Sequence, residues 1–197
     1  MRVRGVPLAV LLLASAALAP RARGQAWSDP GLQAGVFVSA GRSQDSATVR
    51  PWAGATLRYR LTGGVGLEGS AGYRQDVLEA RGVEVARLSM VPVTGSVDVF
   101  FLSRGRVQPF LEGGAGYYYV RVTGVGAGEA LGSSSQHLFG FHAGAAVDLR
   151  LSRGSSLVLG GRYTWLDVTG LTPLEPQVGE VPSGSYWEAR AAFALSF

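Results

Sequence analysis

The fold is decided by the last twelve residues, YWEARAAFALSF, at positions 186–197. Alternate residues of this stretch are apolar, and they are Trp187, Ala189, Ala191, Phe193, Leu195 and Phe197. The residues between them are small or polar, apart from Tyr186. A period of two places each kind of residue on its own face of an extended chain. The C-terminus is therefore predicted to be a β-strand with one apolar face.

The same alternation recurs upstream. In 53–61, for example, Leu57 and Tyr59 alternate with Arg58 and Arg60. Glycine is scattered through every candidate stretch, which disfavours helices. The pattern predicts an all-β chain of eight strands of about ten residues each. These strands are 32–41, 53–61, 65–74, 88–101, 109–121, 139–151, 157–165 and 186–197, of which the first, fourth and fifth alternate less cleanly.

The connections between these strands alternate in length. Short connections lie at 62–64, 102–106 and 152–155. The longer ones, rich in Gly, Ser, Pro, Gln and acidic residues, lie near 42–50, 75–86, 123–136 and 166–185. Strict alternation puts all the short turns at one end of the sheet. This arrangement is typical of an eight-stranded antiparallel up-and-down transmembrane β-barrel, with short periplasmic turns and long external loops.

Residues 1–26 have the features of a secretory signal peptide, which would leave 27–197 as the outer-membrane β-barrel domain. Arg2 and Arg4 precede an apolar run at 6–19, and Gly24-Gln25-Ala26 places small residues before a cleavage point after Ala26. The apolar run has fourteen residues. A membrane-spanning helix needs about 20. Cleavage is therefore expected rather than anchoring.

Charge and composition exclude several classes of function. The chain has 18 basic residues, all arginine, and 14 acidic ones. Four of the arginines lie in 1–26, so the remainder carries equal numbers of both charges. No basic stripe remains for nucleic acid. The absence of cysteine excludes thiol nucleophiles and Cys-ligated metals, and the absence of lysine excludes Schiff-base chemistry.

Alternation alone fits a soluble barrel with an apolar interior as well as a membrane barrel with an apolar exterior. Three features favour the membrane barrel. The polar faces hold only isolated charges among small residues, the chain ends on an aromatic strand, and the aromatic residues fall near the strand ends. One predicted aromatic girdle, at the external ends, comprises Tyr73, Tyr117, Tyr119, Phe139, Phe141, Tyr163, Trp165 and Trp187. Phe101, Phe193 and Phe197 form the periplasmic girdle.

The signal peptide, the eight strands, PFLEGGAGYYY at 109–119 and the terminal FALSF together resemble the small eight-stranded outer-membrane β-barrels. That family includes the membrane domain of outer-membrane protein A and the OmpX- and OmpW-like barrels. The resemblance implies a place in the outer membrane of a Gram-negative bacterium, among lipid and lipopolysaccharide. It also implies that the barrel-assembly machinery reads Phe193, Leu195 and Phe197. Because the chain ends at the barrel, we expect no periplasmic peptidoglycan-binding domain.

Charged residues on the polar faces are predicted to form an ion-pair network in the barrel lumen. They are Arg58, Arg60, Glu68, Arg74, Asp98, Glu112, Asp148, Arg150, Arg162, Glu188 and Arg190. Unpaired charges inside a narrow barrel are costly, so these residues should pair or line water. A turn centred on Gly63 places Arg58 opposite Glu68 and predicts a salt bridge. The network is either a structural plug or a polar conduit, and the small interior of eight strands favours the plug.

Catalytic and metal sites are not expected. The two histidines are His137, beside Ser133–Ser135 at a loop edge, and His142, which points inward. Lipid A deacylases of this architecture, as a resemblance, place His and Ser two residues apart on the outer face. Here Phe139 stands two residues after His137, and Gly144 stands two residues after His142, so neither position holds a serine. With no nearby carboxylate pair, no metal or other cofactor is predicted.

The sequence therefore favours a non-enzymatic outer-membrane protein with an envelope structural or surface-interaction role through its external loops. The composition of those loops does not identify their ligand. A second hypothesis, suggested by the OmpW-like barrels, is a passage for small apolar molecules across the outer membrane. A third is a lipid-modifying enzyme, which needs a Ser–His pair about 3 Å apart.

Overall fold

The computed structural model describes residues 31–43, 49–80, 83–102, 105–126, 132–166 and 185–197. They form β1 (Gly31–Ser43), β2 (Arg50–Arg60), β3 (Val65–Ala80), β4 (Val83–Phe100), β5 (Val107–Gly124), β6 (Ser133–Arg150), β7 (Ser155–Leu166) and β8 (Tyr186–Ser196). Each strand pairs antiparallel with the next along the chain, and β8 pairs with β1. The predicted all-β, eight-stranded antiparallel barrel is thus confirmed. The segment 1–26 lies outside the described residues.

Closure of the barrel joins the first strand to the last. In the β1–β8 register Ala34 lies opposite Leu195 and Val36 lies opposite Phe193. The amide of Phe197 donates a hydrogen bond to the carbonyl of Leu32 at 2.9 Å. A closed sheet leaves no edge strand with unpaired backbone groups. No helix among the described residues is long and apolar enough to cross a membrane.

The strands β3 to β6 are longer than predicted, with 16 to 18 residues each. The predicted long connection 75–86 is wrong, because β3 continues to Ala80 and β4 begins at Val83. Likewise, 133–136 belongs to β6 rather than to a loop. The polar and acidic residues that suggested loops are compatible with strands that extend beyond the apolar band of the barrel wall. Short and long connections therefore do not alternate strictly.

The apolar face of each strand points outward and the charged face points inward. Leu57 is 52% exposed, whereas its neighbour Arg58 is 3% exposed. On β3, Leu67 is exposed and Glu68 is buried. This is the orientation of a membrane barrel, not that of a soluble barrel, whose apolar side chains fill the interior.

Outward-facing aromatic residues form a band at the far end of the barrel, opposite the short turns 61–64, 101–106 and 151–154. The register places Tyr117 opposite Phe139, Phe141 opposite Trp165 and Tyr163 opposite Trp187. These side chains are exposed except that of Tyr163, whose ring lies 4.6 Å from the Trp165 ring and 4.5 Å from the Trp187 ring. At the short-turn end Phe101 is exposed, and so is Tyr59, which was not predicted to belong to a girdle.

The interior is less polar than predicted, because two apolar clusters lie inside the barrel. The first cluster comprises Met90, Tyr118, Val120, Leu138, Leu166 and Tyr186, all from the far halves of their strands. The second cluster comprises Phe37, Trp52, Phe100, Phe110, Val158 and Ala192. Segments 88–101 and 109–121 alternate poorly because apolar side chains occupy both of their faces.

Candidate functional site

The predicted salt bridge between Arg58 and Glu68 is present in the lumen. The two residues lie directly opposite each other on β2 and β3. Arg58 Nη2 donates to Glu68 Oε2 at 2.7 Å, and both side chains are buried. A tight turn after β2 fixes this register, so the pairing follows from the local sequence.

Arg58 is also surrounded by charges from more distant strands. Its Nε atom lies 2.6 Å from Asp98 Oδ2, and its Nη1 atom lies 3.8 Å from Asp148 Oδ2. The guanidinium carbon lies 4.6 Å from the centre of the Phe110 ring. Three carboxylates and an aromatic face therefore compensate for the desolvation of this buried cation.

Arg162 is the centre of a second group of ion pairs. Its Nε and Nη2 atoms donate to Glu112 Oε1 and Oε2 at 2.8 and 3.0 Å, in a bidentate arrangement. Its Nε atom also lies 3.7 Å from Glu188 Oε1. Gly144 makes room for this pair, since a Cβ atom there would lie 2.8 Å from Glu112 Oε1. Bidentate pairing with a carboxylate is the strongest form of such contacts.

Glu68 connects the two groups. Besides Arg58, it accepts a hydrogen bond from Arg190 Nη2 at 2.6 Å. Arg162 Nη2 lies 3.9 Å from the same Oε1 atom. Asp148 adds contacts to Arg60 at 3.9 Å and to Arg150 at 3.4 Å. The resulting lumen network comprises Arg58, Arg60, Glu68, Asp98, Glu112, Asp148, Arg150, Arg162, Glu188 and Arg190.

One predicted member lies apart from the lumen network. Arg74 pairs with Asp76 at 3.0 Å and faces the ring of Tyr186 at 5.3 Å. Sequence reasoning also missed Gln108, which accepts a hydrogen bond from Arg60 Nη1 at 2.7 Å. Gln108 occupies an inward position of β5, so its place in the alternation was the available signal.

The lumen network leaves little free space. A cavity of about 10 Å³ remains among Gln33, Thr56, Arg58, Glu68 and Arg190. That volume is at the lower limit for a single water molecule. The two apolar clusters occupy further parts of the interior. The side chains around this cavity are themselves buried.

A serine–histidine pair lies inside the barrel, where sequence reasoning did not expect one. Ser96 Oγ and His142 Nε2 are 2.7 Å apart, and both residues are buried. They meet across Gly114, which lies opposite Ser96 on one side and His142 on the other. His142 Nδ1 has no hydrogen-bond partner among the described residues. Among the described residues, the pair therefore lacks the third, orienting group of a hydrolase.

The other histidine faces outward. His137 Nδ1 is hydrogen-bonded to the hydroxyl of Tyr117, and its ring lies 5.4 Å from that ring and 5.3 Å from the ring of Tyr119. It lies within β6 rather than at a loop edge. Within the described ranges, no group of three or more His, Asp or Glu residues is arranged to hold a metal ion.

The residues named as an assembly signal lie on the outer wall next to the closure of the barrel. Phe193 is exposed and Leu195 is half-buried. Leu195 lies opposite Ala34 of β1 and Ser155 of β7.

The sequence also matches a family model. Residues 8–180 match the family described as outer membrane protein beta-barrel domain. The chain belongs to this family. Its barrel is accordingly an outer-membrane β-barrel, and the environment of its apolar wall is the membrane. No curated protein sequence matches the chain.

Solved structures of other outer-membrane barrels share the fold. Neisserial surface protein A has 15% identity and a TM-score of 0.62, over 89% of this chain and 100% of that one. The N-terminal β-barrel domain of Pseudomonas aeruginosa OprF has 14% identity and a TM-score of 0.57, over 86% and 100%. Ail, the attachment invasion locus protein of Yersinia pestis, has 13% identity and a TM-score of 0.54, over 86% and 99%. Identities this low indicate a common architecture.

Proposed function

We propose that this protein is a closed, non-enzymatic outer-membrane barrel that acts in envelope structure or in surface interaction through its external loops. The observation that carries the proposal is the lumen network, whose ten charged side chains join seven strands across the interior. A solute passing this level would have to break buried ion pairs. Breaking one such pair costs about 3–5 kcal/mol.

The proposal includes export and assembly. Residues 1–26 are the cleaved signal peptide, and 27–197 form the barrel domain. The barrel-assembly machinery of a Gram-negative bacterium reads the strand that contains Phe193, Leu195 and Phe197. The short-turn end faces the periplasm, and the far end is external.

The external loops carry the interaction. Connections exposed at one end of a rigid barrel tolerate sequence change and are the usual place for binding. Two barrels of the same fold are named for the cell surface and for attachment, namely Neisserial surface protein A and Ail. The segment 167–184, rich in proline and aliphatic residues and predicted to form one of these loops, lies outside the described residues.

An enzymatic role is not proposed. Both side chains of the Ser96–His142 pair are buried, and among the described residues His142 Nδ1 lacks the orienting partner of a catalytic histidine. His137 faces the membrane side, but its hydrogen-bond partner is Tyr117 rather than a serine.

A second candidate, passage of small apolar molecules, is favoured by one observation. A groove of about 600 Å³ runs along the outer wall between Ala34, Ala55, Ala71 and Phe197. Its lining is almost wholly apolar and includes Gly69, which has no side chain to fill the groove. The groove opens toward the membrane, while Thr94 and Thr56 behind it are buried in the barrel wall.

Planar-bilayer recording with the refolded protein tests the proposal. We expect no conductance above that of the empty bilayer. Arg58→Ala combined with Glu68→Ala, which removes the centre of the lumen network, should produce a measurable leak. Arg121→Ala, which lies on the outer wall, is the matched control and should remain silent. Stable channels formed by the unmodified protein would refute the closed barrel, and uptake of an apolar dye by vesicles would favour the second candidate.

A further inference from the structure

Strand β6 extends further toward the far end of the barrel than its neighbour β7. It pairs with β5 from Ser133 onward. The described part of β7 ends at Leu166, which lies opposite Gly140. Residues 133–139 therefore have a paired strand on one side and, within the described ranges, none on the other. We call this seven-residue segment the β6 edge.

The backbone of the β6 edge directs hydrogen-bonding groups to the side away from β5. At the other end of β6 the amide of Arg150 donates to the carbonyl of Arg106, on the β5 side. The amide of Leu151 donates to the carbonyl of Ser155, on the β7 side. Successive residues of a strand point these groups to opposite sides, so the odd-numbered residues of β6 face β7. Within the β6 edge they are Ser133, Ser135, His137 and Phe139.

The β6 edge lacks features that commonly protect a free strand. Its sequence, SSSQHLF, contains no proline and no charged aspartate, glutamate, lysine or arginine. Its pairing with β5 is one-to-one, without a bulge. Charged residues, prolines and bulges are the usual means of preventing a further strand from pairing with an edge. Seven extended residues span about 23 Å, which is enough for a short strand.

The position of the β6 edge makes it accessible to water rather than to lipid. It leads away from the exposed aromatic band, to which Phe139 and Phe141 belong. The outward side chains beyond that band are His137, Ser135 and Ser133, and all three are exposed. Unpaired backbone groups are excluded from the hydrocarbon but are tolerated in water. A strand that pairs with the β6 edge replaces that water.

The geometry favours a strand from a different protein over a second copy of this barrel. Two copies in one membrane are related by rotation about the membrane normal. This rotation places the two β6 edges side by side in the same direction, with each residue beside its own equivalent. Donors then face donors, whereas a parallel ladder needs staggered partners. The membrane prevents the shift along its normal that would correct the stagger.

We propose that the β6 edge binds an extended segment of another polypeptide outside the cell, which joins the sheet as a further strand beside β6. The backbone groups of Ser133, Ser135 and His137 pair with those of the segment. On the outward face, hydroxyl side chains fit beside the two serines and an aromatic side chain fits beside His137. This inference rests on the proposed function, because it requires the far end of the barrel to be external.

A synthetic strand tests whether the β6 edge accepts a partner. The probe is a fluorescently labelled peptide, Lys-Thr-Val-Thr-Val-Thr-Val-Thr-Lys, and its binding to the refolded protein in detergent micelles is measured by anisotropy. In a matched peptide, two adjacent central residues are replaced by proline, which removes a donor on each side of the strand. The unmodified protein is compared with two variants. Ser135→Pro removes a backbone amide that faces away from β5, and Ser135→Ala keeps that amide as the control.

Amide hydrogen exchange, followed by NMR spectroscopy, identifies the groups involved. In the free protein the amides of Ser134 and Gln136, which face β5, should be protected, and those of Ser135 and His137 should exchange rapidly. The peptide should protect Ser135 and His137. Protection of these two amides without the peptide would overturn the proposal, because another part of the chain would already pair with the edge.

We expect Ser135→Pro to bind the peptide on the order of 10-fold more weakly or less, since backbone hydrogen bonds supply the affinity. Ser135→Ala should bind as the unmodified protein does, and the proline peptide should not bind. Absence of binding by the unmodified protein, or equal binding of both peptides, would overturn the proposal. So would an oligomer that Ser135→Pro dissociates, because the partner would then be a second copy.

The bilayer recordings separate this inference from the proposed function. A silent barrel that binds neither peptide would remove the role of the β6 edge alone. A conducting barrel would remove the closed lumen whatever the peptide result.

Discussion

Arg58 on β2 and Glu68 on β3 lie opposite each other in register, and their side chains meet inside the barrel at 2.7 Å. Glu68 also accepts a hydrogen bond from Arg190 on β8, 122 residues along the chain. A contact set by one local turn is thereby tied to the strand that closes the barrel. Under the proposed function, the stability of the barrel and the closure of its lumen therefore depend on the same side chains.

Replacing Arg58 should destabilise the barrel strongly. Arg58→Ala leaves Asp98 buried without its closest cation and Glu68 without one of its two hydrogen-bonded arginines. We expect the free energy of unfolding to fall by about 3 kcal/mol or more. Urea unfolding in detergent, followed by tryptophan fluorescence, measures the change. Arg121→Ala, on the exposed wall, should have little effect, and equal losses would argue against a buried pair.

Two buried glutamates should differ in their contribution. Glu68 accepts hydrogen bonds from two arginines, whereas Glu188 accepts none from the described residues and contacts Arg162 at 3.7 Å. Glu68→Gln should therefore reduce the free energy of unfolding by about 2–3 kcal/mol and Glu188→Gln by about 1 kcal/mol or less. The same unfolding assay compares them. A larger effect at Glu188 would mean that the lumen network is centred elsewhere.

Two neighbouring glycines provide a matched test of packing. A Cβ atom at Gly114 would collide with the carbonyl of Gly95 and lie 2.8 Å from the Cα atom of Ser96. A Cβ atom at Gly95 would meet nothing within 4 Å. Gly114→Ala should destabilise the barrel by about 1–3 kcal/mol. Gly95→Ala should be neutral, and a neutral Gly114→Ala would show that the wall is looser than described.

The last residue should matter for assembly more than for stability. Deletion of Phe197 is expected to reduce the amount of folded barrel in the outer membrane, measured by heat-modifiable migration of membrane fractions. Phe101→Ala removes an exposed aromatic side chain at the same end of the barrel and is the control. Normal assembly without Phe197, or an equal loss in the control, would remove the role assigned to the last strand.

Local alternation in the sequence was sufficient for the faces of the strands and for the Arg58–Glu68 pair. Both depend only on a period of two and on one tight turn. The same reasoning failed at 75–86, where polar residues suggested a loop although β3 and β4 continue. Amino-acid composition does not distinguish a loop from the part of a strand that extends beyond the membrane, because both are exposed to water.

The contents of the lumen were only partly predictable. Inward charges could be identified from alternation, but their partners across the barrel could not. Contacts such as Arg162–Glu112 and Ser96–His142 each depend on the register of three adjacent strands, which the local sequence of one hairpin does not set. The inward orientation of Phe100 and Phe110 could not be predicted for a different reason. Their strands carry apolar residues on both faces, so alternation does not show which face points inward.

Spin labelling of neighbouring positions tests the central claim, that the apolar face meets lipid while the ionic face fills the lumen. The chain has no cysteine, so single cysteines at Leu57 and Thr56 give unambiguous labels. Power saturation in lipid vesicles should show that a label at 57 collides with membrane-dissolved oxygen. A label at 56, whose native side chain is 9% exposed, should collide with neither oxygen nor a water-soluble nickel complex. A label at 57 reached by the nickel complex rather than by oxygen would contradict the account.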